Sequence, residues 1–118
     1  MTTVKVGVIG CGNIFDAYLK ASKNFPILNI ACCADMKNER AQAKADQWGL
    51  QVQSIDSLLQ DKSIEIILNL TTPDSHISVA KQVLESGKHV YTEKPLGLNV
   101  NEGIELLALA KDRGLRVG

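Results

Sequence analysis

The sequence predicts an α/β fold: a doubly wound parallel sheet with helices on both faces, arranged as a three-layer αβα sandwich. Two observations carry this. Apolar, strand-like runs alternate with helix-period segments along the chain in the order β-α-β-α-(β)-β-α-β-α-β, which calls for parallel strands joined by right-handed crossovers. The opening run also ends in Gly10-Cys11-Gly12, a tight turn leading directly into helix-compatible sequence. In such a sheet, ligands sit beyond the carboxyl ends of the strands, where the strand order reverses. Gly10, Asp35, Thr71 and Thr92 each close a strand and are therefore expected along one rim.

Each element has its own signal. Val4 to Ile9 is a short run of β-branched residues and glycine, suited to a strand buried on both faces. Ile14, Ala17, Tyr18 and Ala21 recur at helical spacing from Asn13 to Ser22, and Asn24 and Pro26 then break the helix. Leu28 to Ala34 is a second apolar run, closed by Asp35. Arg40 to Trp48 is a helical segment stopped by Gly49. Gln51 to Gln53 reads as a short strand, and Ser54 to Leu59 as a turn and brief helix. Ile64 to Leu70 is the strongest strand signal after the first. Pro73 pushes Thr72 out of helical space, and Asp74 or Ser75 can cap a helix whose Ile77, Ala80, Val83 and Leu84 share a face. Gly87 closes that helix, and Lys88 suits its negative end. His89 to Thr92 is a short strand. Asn99 and Glu102 open a helix with a capping box that runs to Arg113, and Leu115 begins a further strand.

Composition limits the functional classes. A chain of 118 residues, 45% apolar and 22% charged, forms one ordinary globular domain spanning residues 1–118. Thirteen basic and thirteen acidic residues cancel, so nothing favours nucleic acid or an anionic membrane as partner. No run approaches the ~20 apolar residues of a membrane span, and no signal peptide is visible. Cys11, Cys32 and Cys33 lack metal-ligand spacing and read as small buried hydrophobes in a reducing compartment. A cytoplasmic location and no metal are expected.

The chemistry concentrates in four places. Strand, glycine turn and helix start together make a pyrophosphate seat, with free N–H groups and the positive end of the helix dipole aimed at the turn. The third position of the dinucleotide fingerprint calls for a small residue, yet here it is Phe15. Either the helix is displaced from the strand or Phe15 points into a different gap. Asp35 follows about 20 residues after the glycines, where a carboxylate accepts both ribose hydroxyls and repels a 2′-phosphate. That favours NAD over NADP, although Lys37 and Arg40 lie near enough to attract a phosphate. Asp35 would serve equally as a helix cap. Thr71-Thr72-Pro73-Asp74-Ser75-His76 forms a loop near the middle of a bound dinucleotide, where His76 feels the helix dipole and can pack on the cofactor or simply face water. Glu93-Lys94-Pro95 places a lysine at the end of the fifth strand, either positioned to donate to a substrate oxygen or part of a solvated ion pair.

Taken together, G-V-I-G-C-G-N-I, Asp35, T-T-P-D-S-H and S-G-K-H-V-Y-T-E-K-P-L resemble the N-terminal Rossmann domain of the Gfo/Idh/MocA oxidoreductases, over essentially the whole chain. The resemblance implies binding of NAD, with NADP possible. It assigns Gly10, Gly12, Asn13 and Ile14 to the pyrophosphate and Asp35 to the ribose. Leu70, Thr71, Thr72, Pro73 and His76 would line the crevice, and Glu93 and Lys94 would face the nicotinamide. Lys94 is the implied catalytic residue, assisting hydride transfer with a hydroxyl of a sugar, cyclitol or related substrate. Family members carry a second α/β domain that supplies substrate contacts and often associates into homo-oligomers. The sequence stops before it, so turnover by this stretch alone is not expected. The alternative is a stand-alone NAD-binding sensor without catalysis. S-adenosylmethionine or FAD would leave Glu93-Lys94-Pro95 without a task.

Overall fold

The computed structural model describes residues 4–12, 15–22, 24, 27–71, 73–92 and 108–115, with the backbone alone for 73–77 and 92. Its elements are β1 (Val4–Ile9), α1 (Phe15–Ser22), β2 (Leu28–Ala34), α2 (Asn38–Trp48), β3 (Gln51–Val52), α3 (Ile55–Gln60), β4 (Ile66–Asn69), α4 (Pro73–Glu85) and β5 (His89–Thr92). A further helical turn covers 108–112. The sheet order is β3-β2-β1-β4-β5, and every pairing is parallel. The chain thus steps outward from β1 through β2 to β3, then returns to the other side of β1. The reversal falls between β1 and β4, which is where the doubly wound rule puts the ligand crevice.

Alternation along the strands divides the apolar residues between two cores. Ile9, Cys32, Ala34, Ile67 and Val90 face α3, α4 and the 108–112 turn, packing with Leu58, Ala80, Val83, Leu84 and Ala110. Val8 and Cys33 point the other way, toward Phe15 and Leu19 of α1 and Ala41 and Ala45 of α2. The three-layer sandwich expected from the sequence is present.

Several boundaries differ from expectation, each for a local reason. Helix α2 starts at Asn38 rather than Arg40, with Lys37 as an N-cap that makes no side-chain capping bond. Gly49 ends it at φ 71°, in the left-handed region that favours glycine, with its N–H on the Ala45 carbonyl. Pro73 is the first residue of α4, a position where its missing N–H costs nothing. Asp74 and Ser75 are therefore inside the first turn and not at the cap. The strand read as Ile64 to Leu70 shortens to Ile66–Asn69. The predicted start of α1 at Asn13, the helix from Asn99 to Leu107, and the strand after Leu115 lie at least partly outside the described residues.

Lys88 corrects a sequence reading. It does not complement the end of α4. Its buried ammonium donates to the Asp61 carbonyl (2.6 Å) at the end of α3 and to the Ile64 carbonyl (3.0 Å). Burial lowers its pKa, and the nearby Asp61 carboxylate partly offsets this. The cation therefore pins the start of β5 to the α3–β4 connection.

Between the helices of the other face, the Asp16 carboxylate accepts from Trp48 Nε1 (2.9 Å) and Lys44 Nζ (3.0 Å), tying α1 to α2. Those two hydrogen bonds, that of Trp48 first, hold its carboxyl below the usual range.

Asp61 gives a test of this local electrostatics. It accepts from the Ser63 hydroxyl (2.6 Å), the Ser63 N–H (3.0 Å) and Gln53 Nε2 (3.3 Å), which together hold its pKa down to about 2. A folded pKa below the unfolded value of roughly 3.9 means stabilisation that is present above about pH 4 and lost as pH falls toward 2. Asp61→Asn should therefore lower Tm at pH 7, with the gap to wild type closing between about pH 4 and 2. Thermal melts across that range check it, and a gap constant with pH refutes it.

Candidate functional site

The carboxyl ends of β1, β2 and β4 converge on Gly10. Its N–H donates to the Ala34 carbonyl at the end of β2 (2.9 Å), and the Leu70 N–H donates to the Ile9 carbonyl (2.9 Å). Gly10 has φ 102°, and a Cβ there would lie 2.6 Å from the Leu70 carbonyl carbon and 2.7 Å from the Thr71 nitrogen. Glycine is thus required by the approach of the β4 backbone, a constraint separate from any phosphate nearby. Gly12 is different: among the described residues, a Cβ there would meet nothing within 4 Å. Its bare backbone faces open space there.

Asp35 stands next to this turn. Its Oδ2 accepts from the Cys11 N–H (2.7 Å) and its Oδ1 from the Lys37 N–H (2.8 Å). Two backbone donors fix the carboxylate in place, and each oxygen keeps a lone pair for another donor. The helix-cap alternative does not hold, since Lys37 is the N-cap of α2.

These groups open onto a cavity of about 610 Å³. Gly10, Cys11, Gly12, Asp35, Leu70 and Thr71 line it, together with Met36, Lys37 and Arg40 after β2 and Ile55, Asp56, Ser78, Val79 and Gln82 of α3 and α4. Five of the predicted site residues, Gly10, Gly12, Asp35, Leu70 and Thr71, are therefore brought together. Asn13, Ile14, Thr72, Glu93 and Lys94 lie outside the described residues. Pro73 and His76 fall in the first turn of α4, with only their backbone described.

Phe15 takes the second of its two options. Its ring is fully buried in the core between the sheet and α1–α2, with Lys44 Nζ 5.9 Å from the ring centroid. It does not line the cavity. Cys11 is buried, and its hydrogen bond with Cys33 and then burial push its thiol well above the ordinary range. It stays a protonated thiol, the small buried hydrophobe read from the sequence. Burial likewise pushes Cys32 up to about 11. Among the described residues no three His, Cys, Asp or Glu side chains gather as metal ligands, and no helix is long and apolar enough to cross a membrane.

Asn69 went unread in the sequence. It is fully buried at the end of β4, where its Oδ1 accepts from the Thr71 hydroxyl (2.7 Å) and N–H (3.3 Å). It shapes the loop that forms one cavity wall. The only available signal was a polar residue inside an apolar run, just before a turn.

Comparison with known proteins agrees with this geometry. The family model described as "Oxidoreductase family, NAD-binding Rossmann fold" (GFO_IDH_MocA) matches residues 4–118. The chain belongs to the Gfo/Idh/MocA family. Inositol 2-dehydrogenase of Salmonella typhimurium is 25% identical over 119 residues, covering 98% of this chain and 35% of that protein. The dTDP-3,4-didehydro-2,6-dideoxy-alpha-D-glucose 3-reductase of Streptomyces violaceoruber is 31% identical over 114 residues, covering 95% of this chain and 33% of that protein. Among solved structures, KijD10, a 3-ketoreductase from Actinomadura kijaniata crystallised with NADP and TDP-benzene, superposes with a TM-score of 0.88 at 28% identity. That match covers 97% of this chain and 36% of KijD10. The chain spans about a third of the length of these relatives and corresponds to their NAD-binding Rossmann part.

The two glycines separate in a stability test. Gly10→Ala forces a backbone clash at positive φ and should cost about 2–4 kcal/mol. Gly12→Ala adds a methyl to open space and should change stability by less than about 1 kcal/mol. Urea denaturation of both variants measures this, and equal losses would refute the distinction.

Proposed function

We propose that this chain holds NAD, in preference to NADP, for an oxidoreductase that moves hydride between the nicotinamide and a hydroxyl of a sugar, cyclitol or related substrate. The observation that carries the reading is the Asp35 carboxylate, fixed at the cavity rim by the Cys11 and Lys37 N–H groups and adjoining the open Gly12 backbone. A pre-fixed acceptor pair suits two vicinal ribose hydroxyls and opposes a 2′-phosphate. Gly10, Gly12, Asn13 and Ile14 would seat the pyrophosphate. Leu70, Thr71, Thr72, Pro73 and His76 would line the crevice toward the nicotinamide.

Bound NAD would supply the hydride acceptor. Lys94, beside Glu93, is the residue proposed to donate to or take a proton from the substrate oxygen. The names of the relatives support the substrate class, one being named for inositol and another for a deoxysugar nucleotide. The family resemblance implies further substrate contacts from a second domain outside the stretch matched here. The functional unit proposed is cytoplasmic, takes a small hydroxylated substrate and assembles as a homo-oligomer.

Calorimetric titration with NAD and NADP tests the cofactor assignment. Wild type should bind NAD more tightly. Asp35→Ala should lose about tenfold in NAD affinity and narrow the gap between the cofactors, with Asp35→Asn falling between. Equal affinity of wild type for both cofactors would defeat the role given to Asp35.

A further inference from the structure

We propose that Cys11 and Cys33, in contact beneath the glycine turn, form an oxidisable dithiol that hydrogen peroxide closes to a disulfide, and that closure loosens the hold on the cofactor. The cross-link is independent of the dinucleotide reading above; its effect on the cofactor rests on that reading.

The fold brings the two sulfurs together. Cys33 pairs with Val8 in the β1–β2 ladder, and just beyond it the Gly10 N–H is held on the Ala34 carbonyl. Cys11 therefore lies beside the end of β2, with its N–H on Asp35 and its sulfur 3.6 Å from the Ala34 carbonyl. Both side chains enter the core shared with α1 and α2, where Cys33 Sγ donates to the Ala41 carbonyl (3.4 Å). The two thiols are hydrogen-bonded to each other. Cys32 packs on the opposite face of the sheet, in the core with Ile9 and Leu58, and stays out of the pair.

The pair supplies a nucleophile and a resolving thiol. The Cys11 S–H donates to the Cys33 sulfur and holds the Cys33 thiol below its ordinary range, while burial and the Asp35 carboxylate act the other way. Cys11 lines the cavity and Cys33 is fully buried behind it, so an oxidant must be as small as peroxide and enters when the turn opens locally. The Cys33 thiolate attacks one peroxide oxygen as the O–O bond breaks, leaving a sulfenic acid and a hydroxide that takes a proton from solvent. The Cys11 sulfur then attacks the Cys33 sulfur: the S–S bond forms, the S–O bond breaks, and the Cys11 proton leaves with the departing hydroxide as water. Two thiols and one peroxide thus become one disulfide and two waters. An S–S bond is about 2.05 Å long, so closure draws Cys11 toward Cys33 and pulls its N–H from the Asp35 carboxylate, which it holds at 2.7 Å in the dithiol state. A dinucleotide seated on the turn shields the pair in return.

Peptide mapping by mass spectrometry after treatment with hydrogen peroxide, paired with calorimetric titration with NAD, tests this. Wild type should lose two hydrogens through a Cys11–Cys33 linkage within one chain, reversed by dithiothreitol and formed more slowly in saturating NAD. Oxidised wild type should bind NAD about tenfold more weakly than the reduced protein. Cys32→Ala should keep both effects, whereas Cys33→Ala should form no linkage and show the same NAD affinity before and after peroxide. In wild type alone, so whether or not the variants fold, the absence of a linkage, sulfinic acid in its place, or a linkage through Cys32 or between chains would overturn the dithiol. A Cys11–Cys33 linkage that leaves NAD affinity unchanged would overturn the effect on the cofactor. Failure of reduced wild type to bind NAD would overturn the cofactor reading and that effect with it, while the linkage still decides the dithiol.

Discussion

The backbone of β1 and the backbone of β4 meet at Gly10 with no room for a single carbon between them. A Cβ at 2.6 Å from the Leu70 carbonyl carbon is closer than atoms can pack, so the sheet can bring these two strand ends together only if position 10 is glycine. From that contact the rest follows. Gly10 also bonds to Ala34 at the end of β2, so three strand ends are locked at one point, and the chain leaves them in three directions. The space left between the departing segments is the cavity.

The same junction orients the charge. Asp35 is one residue beyond Ala34, so locking Ala34 to Gly10 brings its carboxylate to the Cys11 N–H. The Lys37 N–H holds the other oxygen. A carboxylate fixed by two main-chain donors has already lost its rotamer freedom and needs little reorganisation when a ligand arrives. Lys37 and Arg40 supply positive charge at the same opening, so the site combines a fixed anion with nearby cations and is not uniformly acidic.

Much of this was readable in the residues. Parallel strands are buried on both faces, so they appear as uninterrupted apolar runs, and the alternation of such runs with helix-period segments gave the fold. The glycine turn and Asp35 were visible because each closes a run. What could not be read was whatever depends on contacts across the sheet. The reason for Gly10 lies in Leu70, sixty positions away in sequence. Lys88 reads as an end-of-helix charge until the α3–β4 connection is seen to pass over it. Asn69 is inconspicuous until its hydrogen bonds to Thr71 are known. Asp56, Ser78 and Gln82 join the cavity only because α3 and α4 cover the same face of the sheet. Phe15 left two options in the sequence, and only the position of α2 decides between them.

The clasp between α1 and α2 has an experimental consequence. Trp48 is the chain's one tryptophan, and its indole N–H is bonded to Asp16 on the neighbouring helix. Its fluorescence therefore comes from a single site whose surroundings depend on the two helices being docked. The emission would change when α1 lifts from α2 even if both stayed helical, so the protein carries its own optical reporter of tertiary structure on the face opposite α3 and α4.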